Sequence, residues 1–241
     1  MKFNKIVLCV FFIITVIKTT QAATFSSTKI ELLYGQDFLR GVDGAEIDEA
    51  TFTIANATGF TWGDSFFFAD VNGINDTEDT GGIHMEFSTR YRFWEAKQSY
   101  IIKSAYGIIQ ADITSNTFVE KLVPMIGASI DWEIPGFNFF KSHLQYRDDP
   151  KKKGSSVQFT LVWNLAFILA EQNFSFEGFA DWTQGEGEGV GSESNLLMQP
   201  QLLWMINKNI ALGIEYQYWK NRLGIEGLNE KVPQIMARWT F

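Results

Sequence analysis

The chain has 241 residues, with 20 basic and 28 acidic side chains, a formal net charge of −8 and one cysteine. That acidic balance argues against nucleic acid as a partner. Aromatic content is high, with 22 Phe, 8 Trp and 7 Tyr, yet mean hydropathy is −0.06. The apolar residues are therefore dispersed among polar ones.

Residues 1–22 have the order of a secretory signal peptide: Lys2 and Lys5, an uncharged run from Ile6 to Ile17, then small residues before Ala22. A run of this length closed by Lys18 falls short of the ~20 residues a spanning helix needs. Cleavage is expected after Ala22, with Ala23 as the near alternative. Cys9 lies inside the apolar run, not at a lipoprotein cleavage site. Removing the leader with its three lysines leaves 17 basic against 28 acidic residues, a net of −11, and no cysteine. A disulfide-free secreted domain is unusual in an oxidising extracellular space but ordinary in a Gram-negative outer membrane. Residues 23–241 are expected to form one domain.

After the leader, period-two alternation recurs along the chain. Less regular segments are expected to be strands near 29–39, 48–58, 61–71 and 100–113. Between them, Ile83, Met85, Phe87, Tyr91 and Phe93 alternate with His84, Glu86, Ser88, Arg90 and Arg92. A helix would scatter these apolar residues around its surface, whereas a strand separates the two sets. The pattern returns in Leu122–Trp132, Phe140–Arg147, Val157–Leu165, Phe174–Trp182, Asn195–Trp204 and Asn209–Tyr218. The last segment places Pro233, Ile235, Ala237, Trp239 and Phe241 in one phase. An amphipathic final strand ending on an aromatic residue is common in outer-membrane barrel precursors.

The count is about twelve strands, an even number suited to a single-chain bacterial barrel with one lipid face and one wet face. Connections alternate in length. Gly59-Phe60, Ile134-Pro135-Gly136 and Asn207-Lys208 read as short turns, expected on the periplasmic side. The stretches Arg40–Asp48, Asn72–Thr80, Asp148–Gly154, Gln184–Ser194 and Asn221–Glu230 read as longer outer loops. The rival is a secreted β-sandwich or lipocalin, in which the apolar phase points inward. Aromatic residues crowding the ends of the apolar phase, both charge signs in the polar phase and the terminal aromatic favour an all-β, antiparallel transmembrane barrel.

Several stretches resemble the Tsx-type, OmpK-like nucleoside channels of the outer membrane. These are Trp62-Gly63-Asp64-Ser65-Phe66-Phe67-Phe68-Ala69-Asp70-Val71 within Glu49–Val71, and Met85-Glu86-Phe87-Ser88-Thr89-Arg90. Met125–Asp131 and Phe176–Trp182 resemble them more weakly. The resemblance implies a twelve-stranded barrel with a narrow lumen that passes nucleosides.

A nucleoside site needs aromatic faces for the base and hydrogen-bonding groups for the sugar and base edges, with binding weak enough to permit exit. Asp64, Phe66, Phe68 and Asp70 offer both. If the aspartates face the lumen, Phe66 and Phe68 must too, and Phe67 faces lipid. In the alternative, the two phenylalanines face lipid and the aspartates sit at the headgroups. Glu86, Arg90 and Arg92 are expected to line the same lumen, contacting solute, bracing the barrel, or both. The expected lumen also mixes Glu31, Asp37, Asp131, Glu177, Asp181 and Glu215 with Lys121, Lys141, Arg147 and Arg238. A mixture of signs suits a neutral solute.

Asn72, Asn75, Asp76, Glu78 and Asp79 lack EF-hand spacing and read as a solvated loop. Lys151-Lys152-Lys153 would meet lipopolysaccharide phosphates or form a hydrated turn. Gly185, Gly187, Gly189 and Gly191 lack the context of a phosphate loop. His84 and His143 accompany no G-x-S-x-G motif or thiol, so an enzyme is not expected, and no cofactor or metal is implied. The expected protein is a monomeric passive channel contacting the bilayer and lipopolysaccharide. The alternative is a structural or receptor-like barrel with a plugged lumen.

Overall fold

The structure is a computed structural model that describes residues 22–41, 44–75, 81–98, 101–117 and 119–241. The expected signal segment lies outside the described residues except for Ala22, and so do Asp76, Glu78 and Asp79 of the acidic loop.

Strand β1 covers Phe25–Arg40, β2 Ala45–Phe60, β3 Gly63–Asn72 and β4 Gly82–Glu95. They continue with β5 at Ile102–Asn116, β6 at Glu120–Trp132, β7 at Phe137–Arg147, β8 at Ser156–Leu169 and β9 at Gln172–Thr183. The final segments are β10 at Asn195–Met198, β11 at Gln201–Met205, β12 at Ile210–Lys220 and β13 at Glu230–Thr240. Segments β10 and β11 are one wall strand. Met198 opposes Ala180 and Tyr218, and Gln201 opposes Glu177 and Glu215 without a change of register. Pro200 lies in the gap and has no N–H to give the ladder. The wall therefore has twelve antiparallel strands, and β1 pairs with β13 to close it. Closure leaves no free sheet edge.

The two faces follow the alternation. In β13, Glu230, Val232, Gln234, Met236 and Arg238 are buried, whereas Lys231, Pro233, Ile235, Ala237 and Trp239 are exposed. Ion pairs identify the buried face as the inside. Lys29 in β1 reaches Glu177 in β9 at 3.0 Å, and Arg238 in β13 reaches the same carboxylate at 2.7 Å. These strands are not neighbours in the wall, so the contacts cross the bore. Phe159 and Tyr216 lie on the exposed face, as a barrel in lipid requires. Trp163 shares the outward phase of Phe159 but is covered, its ring 5.9 Å from that of Phe176.

Connections at one end are short, at 61–62, 133–136, 170–171 and 206–209; longer ones at the other end include 148–155, 184–194 and 221–229. Two connections differ from expectation. Gly59 and Phe60 belong to β2, and the turn falls at Thr61-Trp62. The loop expected over Arg40–Asp48 shrinks to 41–44, because β1 and β2 pair as far as Arg40 and Ala45. Stacked aromatic pairs cluster at the turn end: Phe60 with Trp62, Phe167 with Phe174, and Trp239 with Phe241. Such girdles mark the membrane interface.

Candidate functional site

Strand β3 runs without a bulge against both neighbours, so its even residues share one face. Asp64 opposes Arg90, and the two form a two-point ion pair. Asp70 accepts a hydrogen bond from the buried Thr53 hydroxyl at 2.5 Å. Lys141 of β7 approaches Asp64 at 3.8 Å from across the bore. The even face of β3 therefore points inward and carries Phe66 and Phe68, whose ring centroids are 6.0 Å apart. Phe68 also meets the His84 ring at 5.6 Å. Phe66 keeps 38% of its surface exposed. On an inward position, that exposure means the ring borders open space in the bore.

Arg90 is the hub of the turn-side half. It is only 3% exposed and donates to Asp64, to the Ser129 hydroxyl at 2.9 Å and to Asp131 at 2.5 Å. The Tyr106 ring lies 4.2 Å beneath its guanidinium, and the Tyr106 hydroxyl donates to Asp131 at 3.0 Å. His143 pairs with Ser129 at 2.8 Å inside this cluster. Because Arg90 already donates to the Ser129 oxygen, the Ser–His pair braces the wall. A second hub is Arg238, which donates to Glu31 at 2.6 Å, Glu177 and Gln201. Lys29, Arg90, Lys141 and Arg238 thus pair with Glu31, Asp64, Asp131 and Glu177 in the turn-side half. Glu215, level with Glu177 across β11, accepts among the described residues only from Gln201 and Gln234.

Glu86 lies higher on β4, accepting from Gln110 at 3.0 Å and facing His84 at 3.3 Å. Arg92 is not brought to this group. It sits at the turn-end rim, where β4 slips register, and donates to Thr61 O and Glu95. Asp37 also leaves the expected lumen set: it falls in a bulge between Gly35 and Phe38, with φ 64°, and is exposed.

A family profile described as a domain of unknown function, DUF5020, matches residues 29–241, the whole wall apart from the first residues of β1. The chain belongs to the DUF5020 family. Curated protein sequences returned no match. Among solved structures, the NanC porin in a rhombohedral crystal form is similar with a TM-score of 0.51 at 11% identity, covering 88% of this chain and 98% of that one. The KdgM porin in complex with disordered oligogalacturonate has a TM-score of 0.48 at 11% identity, covering 88% and 99%. The translocator domain of the autotransporter NalP from Neisseria meningitidis has a TM-score of 0.45 at 8% identity, covering 97% and 94%. The DUF5020 chain has a closed twelve-stranded barrel of porin-like fold.

Sequence reasoning missed two sets of residues in this DUF5020 barrel. Leu33, Leu203, Ala211 and Met236 pack together on the inward face, and Val123 and Met125 are inward and buried on β6. All lie in the polar phase of their strands, so alternation alone gave no signal for them. Glu186, in the loop 184–194, was not singled out either. It accepts from Arg147 at 2.9 Å, Ser156 at 2.9 Å and the Asp149 N–H at 3.0 Å, tying that loop into the mouth.

Proposed function

We propose that this barrel is a passive outer-membrane channel for small polar solutes, and that nucleosides are the class its bore suits best. One observation carries the reading: an inward-facing aromatic pair, Phe66 and Phe68, with Phe66 open to the bore and hydrogen-bonding Asp64 and Asp70 on the same face. A base stacks on such a ring while the sugar hydroxyls meet carboxylates and hydroxyls. The Tsx-type resemblance of Trp62–Val71 supports the same reading. Removal of residues 1–22 and a monomeric barrel with its turns on the periplasmic side belong to it.

The test is swelling of liposomes carrying the purified barrel, in adenosine and in a sugar of similar size. Faster adenosine entry, reduced in Phe66→Ala/Phe68→Ala while sugar entry holds, supports the stacking role. Equal loss for both solutes, or none, removes it. A second reading has its own observation. Ion pairs crossing the bore and the near-complete burial of Arg90 and Arg238 suit a barrel plugged by its own side chains. A barrel that folds but passes neither solute nor ions would establish that reading instead.

A further inference from the structure

The charges in the bore are unevenly mixed: the inward cations of the loop-side half, Lys121 and Arg147, are taken up by Asp149 and Glu186 at the mouth. Above the ion-paired network of the turn-side half, the loop-side half presents Asp70, Glu86, Asp112 and Asp181 on the inward faces of β3, β4, β5 and β9. Among the described residues, none of these four has Lys or Arg within ion-pairing distance. Their partners are neutral donors and one histidine. Thr53 donates to Asp70 and Thr160 to Asp181, both at 2.5 Å, and Gln110 donates to Glu86 and Asp112, both at 3.0 Å.

A second, independent observation points to what is missing. Because both Gln110 N–H bonds go to carboxylates, its carbonyl must face away, and it accepts from Gln145 Nε2 at 3.2 Å. This fixes the Gln145 amide and leaves its Oε1, on a side chain only 1% exposed, with no donor. The belt thus has surplus acceptors and surplus negative charge, and buried charge is costly unless it is compensated. Among the described residues, no three His, Asp or Glu side chains converge as a metal site would require. An orphaned buried acceptor beside carboxylates that lack a cationic partner fits a hydrogen-donating cation.

We propose that this belt is a cation station: it takes the primary ammonium group of a small solute and makes the bore prefer cations to anions. The inference rests on the channel reading above and adds a charge preference set by the four carboxylates that lack a cationic partner. A ring of one sign selects ions by raising the local concentration of the opposite sign.

The experiment is a planar-bilayer recording of the full barrel across a gradient of ethylammonium chloride, then of potassium chloride. The expected reversal potential has the cation-selective sign in both salts, with a cation-to-anion permeability ratio of about ten. In Asp112→Asn/Asp181→Asn, which removes two charges and keeps side-chain shape, the ratio falls toward one while adenosine swelling is retained. A conducting wild-type channel with zero or anion-selective reversal potential overturns the station and leaves the channel reading intact. So does a ratio unchanged by the double substitution. No conductance in either salt overturns both.

Discussion

Lys141 Nζ in β7 lies 3.8 Å from Asp64 Oδ2 in β3, although four wall steps separate the two strands. At about 4.8 Å per step, the path along the wall is roughly three times the length of a lysine side chain. The contact is a chord across the bore, so the turn-side lumen is narrow and braced. Arg90 is the buried centre of that brace. Removing one partner of a buried charge network costs about 3–5 kcal/mol, because the remaining charges are left unpaired. Arg90→Met is expected to lower barrel stability by that amount in urea titrations of vesicle-folded protein. Arg92→Met, at the rim, is expected to cost under about 1 kcal/mol. Equal losses would contradict the distinction drawn between these two neighbours on one strand face.

The fold was legible because each strand needs a greasy outer face, and that requirement is written at period two. Ile235 and Trp239 disclose their phase without any knowledge of their partners. The bore was less legible. Leu33 and Met236 break the pattern, because an inner face has no lipid to enforce polarity and packs apolar side chains where they fit. Asp37 was misplaced by a bulge, which shifts phase without a marker in composition. The separation of Arg90 from Glu86 into different charge tiers depends on height along the barrel, which alternation does not encode. Asp64, Phe66, Phe68 and Asp70 were grouped because a run without a bulge keeps phase.

The outward face makes a depth-dependent prediction. Ile235 sits mid-strand in β13, 67% exposed, opposite Ile214 and Tyr34. Ile235→Arg is expected to destabilise the barrel by about 2–4 kcal/mol, the cost of a charge near the bilayer midplane. Phe93→Arg, close to the turn end of β4, is expected to cost no more than about 1 kcal/mol. Folding titrations in one lipid measure both. A reversed order would mean the membrane band lies elsewhere.

The mouth is expected to respond to acid through Asp149, in the loop after β7. Burial pushes its carboxyl up, but a hydrogen bond from Lys121, the Lys151 N–H and the charges of Lys121 and Arg147 together hold it below its usual value. A carboxyl lowered on folding stabilises the folded loop above its ordinary value near 4 and loses that contribution as pH falls through the lowered value. Loops 148–155 and 184–194 are therefore expected to stay closed at neutral pH and to loosen only below about pH 4. Pepsin cleavage of folded barrels across an acid series reads this directly. Asp149→Asn should expose the loops at every pH, and a loop pair that opened on raising the pH would contradict the assignment.

The position of Arg90 depends on a residue with no side chain. Gly63 opens β3 at φ 157°, next to Asp64, and a Cβ there would lie 1.8 Å from the Arg90 carbonyl oxygen. No rotamer relieves this contact, because both atoms belong to the backbone or are fixed by it. Gly63→Ala must force β3 and β4 apart at the turn-side end, where the Asp64–Arg90 ion pair forms. A strained backbone conformation for a non-glycine residue costs of order 1–3 kcal/mol before any loss of the ion pair. The expected result is a barrel that folds with a lower urea midpoint and a bore perturbed at its turn-side half, seen as altered single-channel conductance. Gly107 is the control, because nothing lies within 4 Å of a Cβ added there. If Gly63→Ala matched Gly107→Ala in stability and conductance, the close approach of the two strands would not be what holds Arg90 against Asp64.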